Sequence, residues 1–217
     1  MKIIEVSSKS EIKLFHKVPH HIYKKDSNWI PHIKQEVEAV FNPIKNKYFK
    51  HGEACRFILI DDQENIIGRI AAFVDKRRSE SFNQPTGGIG FFECVNNQEA
   101  AFKLFDSGKK WLSEKGMQAM DGPINFGEKD RYWGLLVSGF EYPPIYSNSY
   151  NPPYYQSFFE NYGFQTYFNQ FNFIKPLDVR LPEKYIKRFE RINKNDDYHL
   201  ESIDKNNLAK YAKDFCE

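Results

Sequence analysis

The chain has 217 residues, of which 41% are apolar, 17% aromatic and 28% charged, enough for one core domain or one and a half. Its formal net charge of +2 is too small to point to nucleic acid or an anionic membrane. No apolar run approaches the length of a transmembrane helix, and Met1-Lys-Ile-Ile-Glu-Val6 lacks a signal-peptide layout, so a cytoplasmic protein with no membrane span is expected.

Lys2 to Val6 alternates as a short strand. Ser10 is placed to cap a helix running from Glu11 towards Lys24, and a second helical stretch spans Lys34 to Phe41. Ala54 to Ile60 and Ile66 to Val74 are apolar runs separated by the turn-forming Asp61-Asp-Gln-Glu-Asn65, which predicts a hairpin. Thr86 to Val95 is the next strand. The strongest helix pattern, Gln98 to Lys115, aligns Ala101, Leu104, Phe105, Gly108 and Leu112 on one stripe; Asn96 and Glu99 have capping-box spacing and Gly116 supplies the stop. Met117 to Ile124 returns as a strand ending at Gly122-Pro123. An aromatic helix then starts at Pro152-Pro153 and ends on Gly163, with Tyr155, Phe158, Phe159 and Tyr162 at helical spacing, and it feeds a strand over Gln165 to Phe173. Past Pro176 come an amphipathic helix, Glu183 to Asn193, a strand over Tyr198 to Ile203, and a helix capped by Asp204.

Asn151, Phe158-Phe159-Glu160 and Gly163-Phe164, in a helix that leads into a strand, resemble the last motif of the GNAT acyltransferases, which move acyl groups from coenzyme A to amines. Trp29-Ile-Pro31, Phe41-Asn-Pro43, Gly68-Arg-Ile-Ala-Ala72, Gly90-Phe-Phe-Glu93, Gly122-Pro-Ile-Asn125, Gly134-Leu-Leu-Val-Ser-Gly-Phe140 and Asn151-Pro-Pro-Tyr-Tyr155 together resemble a bacterial acyltransferase-like branch of that superfamily. The resemblance implies an α/β fold with a GNAT-like mixed, mostly antiparallel sheet whose central strands splay, flanked by helices. It implies a GNAT-like domain over residues 1–176. Residues 177–217 are then a linker helix and the opening of a second, similar half, because strand, cap and helix repeat the pattern of Lys2 to Lys17.

The resemblance also assigns roles. Cys94, Val95, Asn96 and Asn97 occupy the loop that holds the pyrophosphate of acetyl-CoA or a longer acyl-CoA, with Asn151 also on the cofactor side. That loop departs from the family pattern: it lacks Gly-x-Gly and Arg, and Glu99 puts negative charge where a helix N-terminus would attract phosphate. The position of the family's thiolate-protonating tyrosine holds Phe159, so Tyr155, one turn earlier, is the candidate acid. Glu93 is the candidate base, set among Phe91, Phe92 and Val95, where burial would raise its pKa. Arg69 sits mid-strand facing the same way as Ile67 and Ala71. It either pairs with Glu93 across the sheet or clamps a substrate carboxylate. His51 and Asn125 are candidates for the substrate side. His20-His21 has no carboxylate at metal spacing, and Cys55, Cys94 and Cys216 are odd in number with no CxxC pair, so neither metal nor disulfide is expected.

Two functional readings follow. One is an acyl-CoA-dependent N-acyltransferase acting on the amine of a small molecule or amino acid. The other is a catalytically silent GNAT-fold protein that binds an acyl chain, a metabolite or a protein partner. Single-stranded nucleic acid is a third reading, from the basic face at Lys184 to Arg191, but that face is more simply the wet side of a helix and no nucleic-acid partner is expected. The acyltransferase is preferred because the resemblance runs along the whole chain. The oligomeric state stays open.

Overall fold

The computed structural model describes residues 1–81, 83–199 and 201–216, and the chain divides into two compact units, Met1–Gln170 and Phe171–Glu217. In the first unit β1 (Lys2–Glu5), β2 (Gly52–Ile60), β3 (Ile66–Asp75), β4 (Thr86–Cys94) and β5 (Ala119–Asp121) form one sheet in chain order. β1 to β4 pair antiparallel, and β4 pairs parallel with β5. Helices α1 (Lys9–Ile22) and α2 (Lys34–Val40) precede the hairpin, and a short α3 (Lys76–Ser79) follows it. Helix α4 (Gln98–Glu114) crosses between β4 and β5, and α5 (Tyr154–Tyr162) comes last. This is the mixed, mostly antiparallel, helix-flanked sheet that the resemblance implied.

Capping residues set the helix starts, and two differ from expectation. Ser8, not Ser10, caps α1: its hydroxyl accepts from the Glu11 N–H and the Glu11 carboxylate accepts from the Ser8 N–H. Ser10 has Lys13 three residues on, which cannot reciprocate. For α4 the cap is Asn97, whose side chain accepts from the Ala100 N–H at 3.0 Å. The Val95 N–H still belongs to the sheet through Ile67 O, which delays the turn into the helix. The α4 stripe packs with Ile70, Ile89 and Phe92 and with Tyr155, Phe158 and Phe159 of α5 on one face of the sheet. On the other face Phe15 of α1 and Val37 of α2 pack against Ile58, Ala71, Phe73, Phe91, Phe126 and Tyr132.

The feature that positions the site is the early end of β5. Its parallel ladder covers only Thr86, Gly87 and Gly88 of β4, and one further link, Ile124 N–H to Ile89 O at 2.7 Å, follows the Gly122-Pro123 turn. A Cβ at Gly90 would lie 1.8 Å from Ile124 O, so only glycine admits this crossing. Beyond it β4 continues to Cys94 with no strand on its outer side among the described residues. Here β4 also carries a bulge: Arg69 faces Glu93 and Ala71 faces Gly90, so two residues, Phe91 and Phe92, oppose Ile70 alone. Phe91 takes φ +50°, a strained value for an aromatic residue, and the two rings part to opposite faces of the sheet.

Three expectations change. The strand over Met117 to Ile124 contracts to β5, because Gly122-Pro123 cannot continue a ladder and the chain crosses to Ile89 instead. Gln165 to Phe173 is irregular, since it has no partner strand among the described residues. Tyr198, His199 and Glu201 to Ile203 are irregular too, and Leu200, at the centre of that expected strand, lies outside the described residues. The second unit contains α6 (Glu183–Asn193) and α7 (Leu208–Cys216), the latter led in by a 3₁₀ turn at which Asp204 caps the Asn206 N–H as expected.

Candidate active site

Glu93 stands on the uncovered stretch of β4, buried with 8% exposure. Strand register brings Arg69 opposite it, with Nη2 at 3.6 Å from Oε1. The same guanidinium donates from Nη1 to Phe15 O at 3.1 Å and lies 4.7 Å over the Phe15 ring, while its Nε has no partner among the described residues. The other carboxylate oxygen, Oε2, accepts two tyrosine hydroxyls, Tyr155 at 2.9 Å and Tyr23 at 2.7 Å. Burial raises the Glu93 pKa, and the Arg69 charge and the two hydroxyls oppose that rise without cancelling it. Arg69 is pushed down by the same burial. Burial also raises the Tyr155 hydroxyl well above its ordinary value, so it stays protonated at neutral pH.

Tyr155 and its neighbour Tyr154 also replace the missing strand. The Cys94 N–H donates to Tyr155 Oη at 2.6 Å, and Tyr154 donates to Cys94 O at 3.0 Å, so α5 covers the edge of β4 with side chains. Asn151 secures the approach to α5. Its Oδ1 accepts from Leu136 N–H at 2.7 Å and its Nδ2 donates to Leu136 O and Pro152 O, so its amide holds the preceding loop and is fully engaged there.

The sequence-derived candidates therefore fall into three places. Glu93, Arg69, Tyr155 and Asn151 line one narrow cavity of about 50 Å³, together with His32, Phe91, Phe92, Pro123, Tyr132 and Tyr150. Cys94, Val95, Asn96 and Asn97 form the β4–α4 turn. The Cys94 thiol there is buried and pushed up to about 12, which removes it as a nucleophile at neutral pH. Asn125 lines a roomier cleft of about 390 Å³ on the other side of the Pro123–Phe126 segment. His51 does not line that cleft itself but touches two residues that do, Asp75, which it bonds at 2.7 Å, and Tyr48, whose ring it meets edge-on at 5.5 Å. Neither stands in the cavity beside Glu93, because the close crossing at Gly90 separates the two spaces.

Sequence reasoning missed Tyr23, His32 and Tyr132. Tyr23 lies eight residues after Phe15 on the buried stripe of α1, and that spacing was its one available signal. His32 packs edge-on to Tyr132 at 4.8 Å, and burial pushes its imidazole down to about 4, so it is neutral near pH 7. Tyr132 and Phe91, which line this cavity, take positive φ, and so does Ser147, whose O accepts from the Tyr132 N–H, so backbone strain collects beside the cavity. None of the described residues form a group of three or more metal-binding side chains, and no described helix is long and apolar enough to cross a membrane.

A five-stranded sheet with an antiparallel hairpin, a long helix joining two parallel strands that then part, and an aromatic helix filling the gap decides the architecture. The fold is GNAT-like. No protein-family model matches the sequence. Over 150 residues the chain is 31% identical to a bacterial ceramide synthase from Caulobacter vibrioides, which takes in 67% of this chain and 38% of that protein. Over 140 residues it is 26% identical to protein YghO of Escherichia coli, 63% of this chain and 34% of that one. The chain thus spans little more than a third of the length of these relatives. Among solved structures, an aminoglycoside 6'-N-acetyltransferase from Acinetobacter baumannii aligns with a TM-score of 0.46 at 11% identity over 81% of this chain and 98% of that one. A glucosamine-6-phosphate N-acetyltransferase from Arabidopsis thaliana aligns with a TM-score of 0.40 at 12% identity over 82% and 98%.

Proposed function

We propose that this GNAT-like chain is part of an N-acyltransferase that moves an acyl group from a thioester, acyl-CoA in the first instance, to a primary amine. The observation that carries the reading is a buried, ionisable Glu93 held by Arg69, Tyr23 and Tyr155 beside a narrow cavity where β4 loses its neighbour. A name on one relative supports it: the protein that is 31% identical over 67% of this chain is called a bacterial ceramide synthase, and a ceramide is by its chemistry an N-acyl amide. In the proposed reaction the amine nitrogen attacks the thioester carbonyl, a C–N bond forms, and the C–S bond breaks with its electron pair leaving on sulfur. Glu93 takes the proton released from nitrogen. A carboxylate whose pKa is raised towards neutrality is well matched to that transfer.

The β4–α4 turn does not fit a coenzyme pyrophosphate as it stands. The Asn97 N–H is bonded to Val95 O, the Ala100 N–H is capped by Asn97, and Glu99 adds negative charge to the first turn.

The test incubates the full chain with acetyl-CoA or palmitoyl-CoA and a panel of amines: an amino acid, an amino sugar and a long-chain amino alcohol. Amides are detected by mass spectrometry. At least one amide should form, and Glu93→Gln should lower its kcat/KM by about 100-fold or more while leaving the KM for the thioester unchanged. A folded protein that makes no amide from any pair would end this reading.

A further inference from the structure

The two oxygens of Glu93 have different surroundings. Oε2 accepts both tyrosine hydroxyls, whereas among the described residues Oε1 has only the Arg69 guanidinium, at 3.6 Å. The two tyrosines are not equivalent either. Tyr155 Oη accepts the Cys94 N–H, so its bond to Glu93 is part of what closes the sheet edge. At its hydroxyl Tyr23 accepts no backbone N–H among the described residues. It stands at the C-terminal cap of α1, 3% exposed, with its ring stacked on Trp29 at 5.0 Å, and it crosses 70 positions of sequence to reach Glu93. Its hydroxyl also lies 3.1 Å from Tyr150 O, but one proton cannot serve both fully, and the carboxylate is the nearer, charged acceptor.

We propose that Tyr23 is a positioning residue for the base: it fixes Glu93 through Oε2 and favours its ionised form, so that Oε1 is the oxygen left to take the proton from the acceptor amine. The assignment of Oε1 as proton acceptor rests on the transferase reading; the coupling between Tyr23 and Glu93 does not. The groups facing Glu93 are Arg69 from β3, Tyr155 and Tyr154 from α5, Cys94 beside it on β4, His32 from the segment before α2, and Tyr132 and Tyr150 from the loops after β5. Of these only Arg69 is cationic at neutral pH, and it faces the opposite oxygen. Tyr23 is therefore the one donor to Oε2 whose hydroxyl can be removed without also leaving a backbone N–H unmatched.

The experiment titrates Glu93 directly in the full chain by carbon-13 NMR of labelled glutamate carboxyls, with the signal assigned by its loss in Glu93→Gln. Tyr23→Phe keeps the ring that stacks on Trp29 and removes only the hydroxyl, so the Glu93 midpoint should move up by about one pH unit. If Tyr23→Phe does not fold, 3-fluorotyrosine placed at position 23 replaces it: a more acidic hydroxyl donates more strongly, and the midpoint must then move down. With an active amine pair, the acid limb of kcat/KM should move with the NMR midpoint while the thioester KM stays unchanged. An unmoved midpoint in a folded variant overturns the proposal. A midpoint that moves while the acid limb stays fixed removes Glu93, and Tyr23 with it, from the chemistry. If the midpoint moves but no thioester and amine react, the Tyr23 coupling stands and the transferase reading fails, so the two failures are distinguishable.

Discussion

Arg69 and Glu93 are each nearly inaccessible to water, and neither charge would be tolerable alone at that depth. Arg69→Met keeps most of the buried volume but removes the cation, leaving Glu93 with two neutral donors. Its carboxyl would then rise further above its unfolded value. A raised carboxyl pKa means that the folded state holds the proton more tightly than the unfolded chain, so stability is lost as pH climbs between the two values. Arg69→Met should therefore lose about 3–5 kcal/mol in urea melts at about pH 8 and clearly less at about pH 5, where Glu93 can fold protonated. An equal loss at both would mean that Arg69 acts through its packing on Phe15 and not through charge. At this scale the sequence was legible where strand pairing governs: Arg69 and Glu93 meet because a hairpin and a following antiparallel strand fix the register. It was not legible for Tyr23, whose hydroxyl arrives from a helix end that no strand register constrains.

Helix α5 does for β4 what a strand would otherwise do, and its two tyrosines do so unequally. Tyr155 bonds an N–H and a carboxylate, whereas Tyr154 bonds a carbonyl at a half-buried position. Tyr155→Phe leaves a buried N–H without an acceptor, which should cost about 1–3 kcal/mol, with faster amide exchange at Cys94. Tyr154→Phe should cost under about 1 kcal/mol, because a carbonyl without its donor is the milder loss. Reversal of that order in denaturant melts would show that the edge is held mainly by the carbonyl. The helix itself could be read from Pro153, Gly163 and the aromatic spacing, and Gly163 does take the left-handed cap at φ +110°. What it packs against could not, because the bulge at Phe91 and the early end of β5 depend on contacts distant in sequence: Gly90 against Ile124, and Gly122 against Ile89.

At the scale of the molecule, every described side chain that bonds Glu93, the strained pair Tyr132 and Ser147, and the turn at Asn97 lie within Met1–Gln170. The order of elements across that unit was legible because each hydrophobic period changes at a Gly, Pro or Asx turn. The strand expected over Gln165 to Phe173 was not a safe inference, because alternation states which face a strand would bury and not whether a neighbour exists to complete its ladder. A chain ending at Gln170 should accordingly keep the site. All three tryptophans, Trp29, Trp111 and Trp133, lie in the first unit, and Trp29 stacks on Tyr23 itself, so near-ultraviolet dichroism and tryptophan emission report on it. Both signals should match those of the longer chain, with cooperative unfolding and a Tm changed by no more than about 5 °C. Loss of the near-ultraviolet signal would mean that Phe171–Glu217 helps to hold the aromatic surroundings of Glu93, and that the base is assembled by more of the chain than its own contacts require.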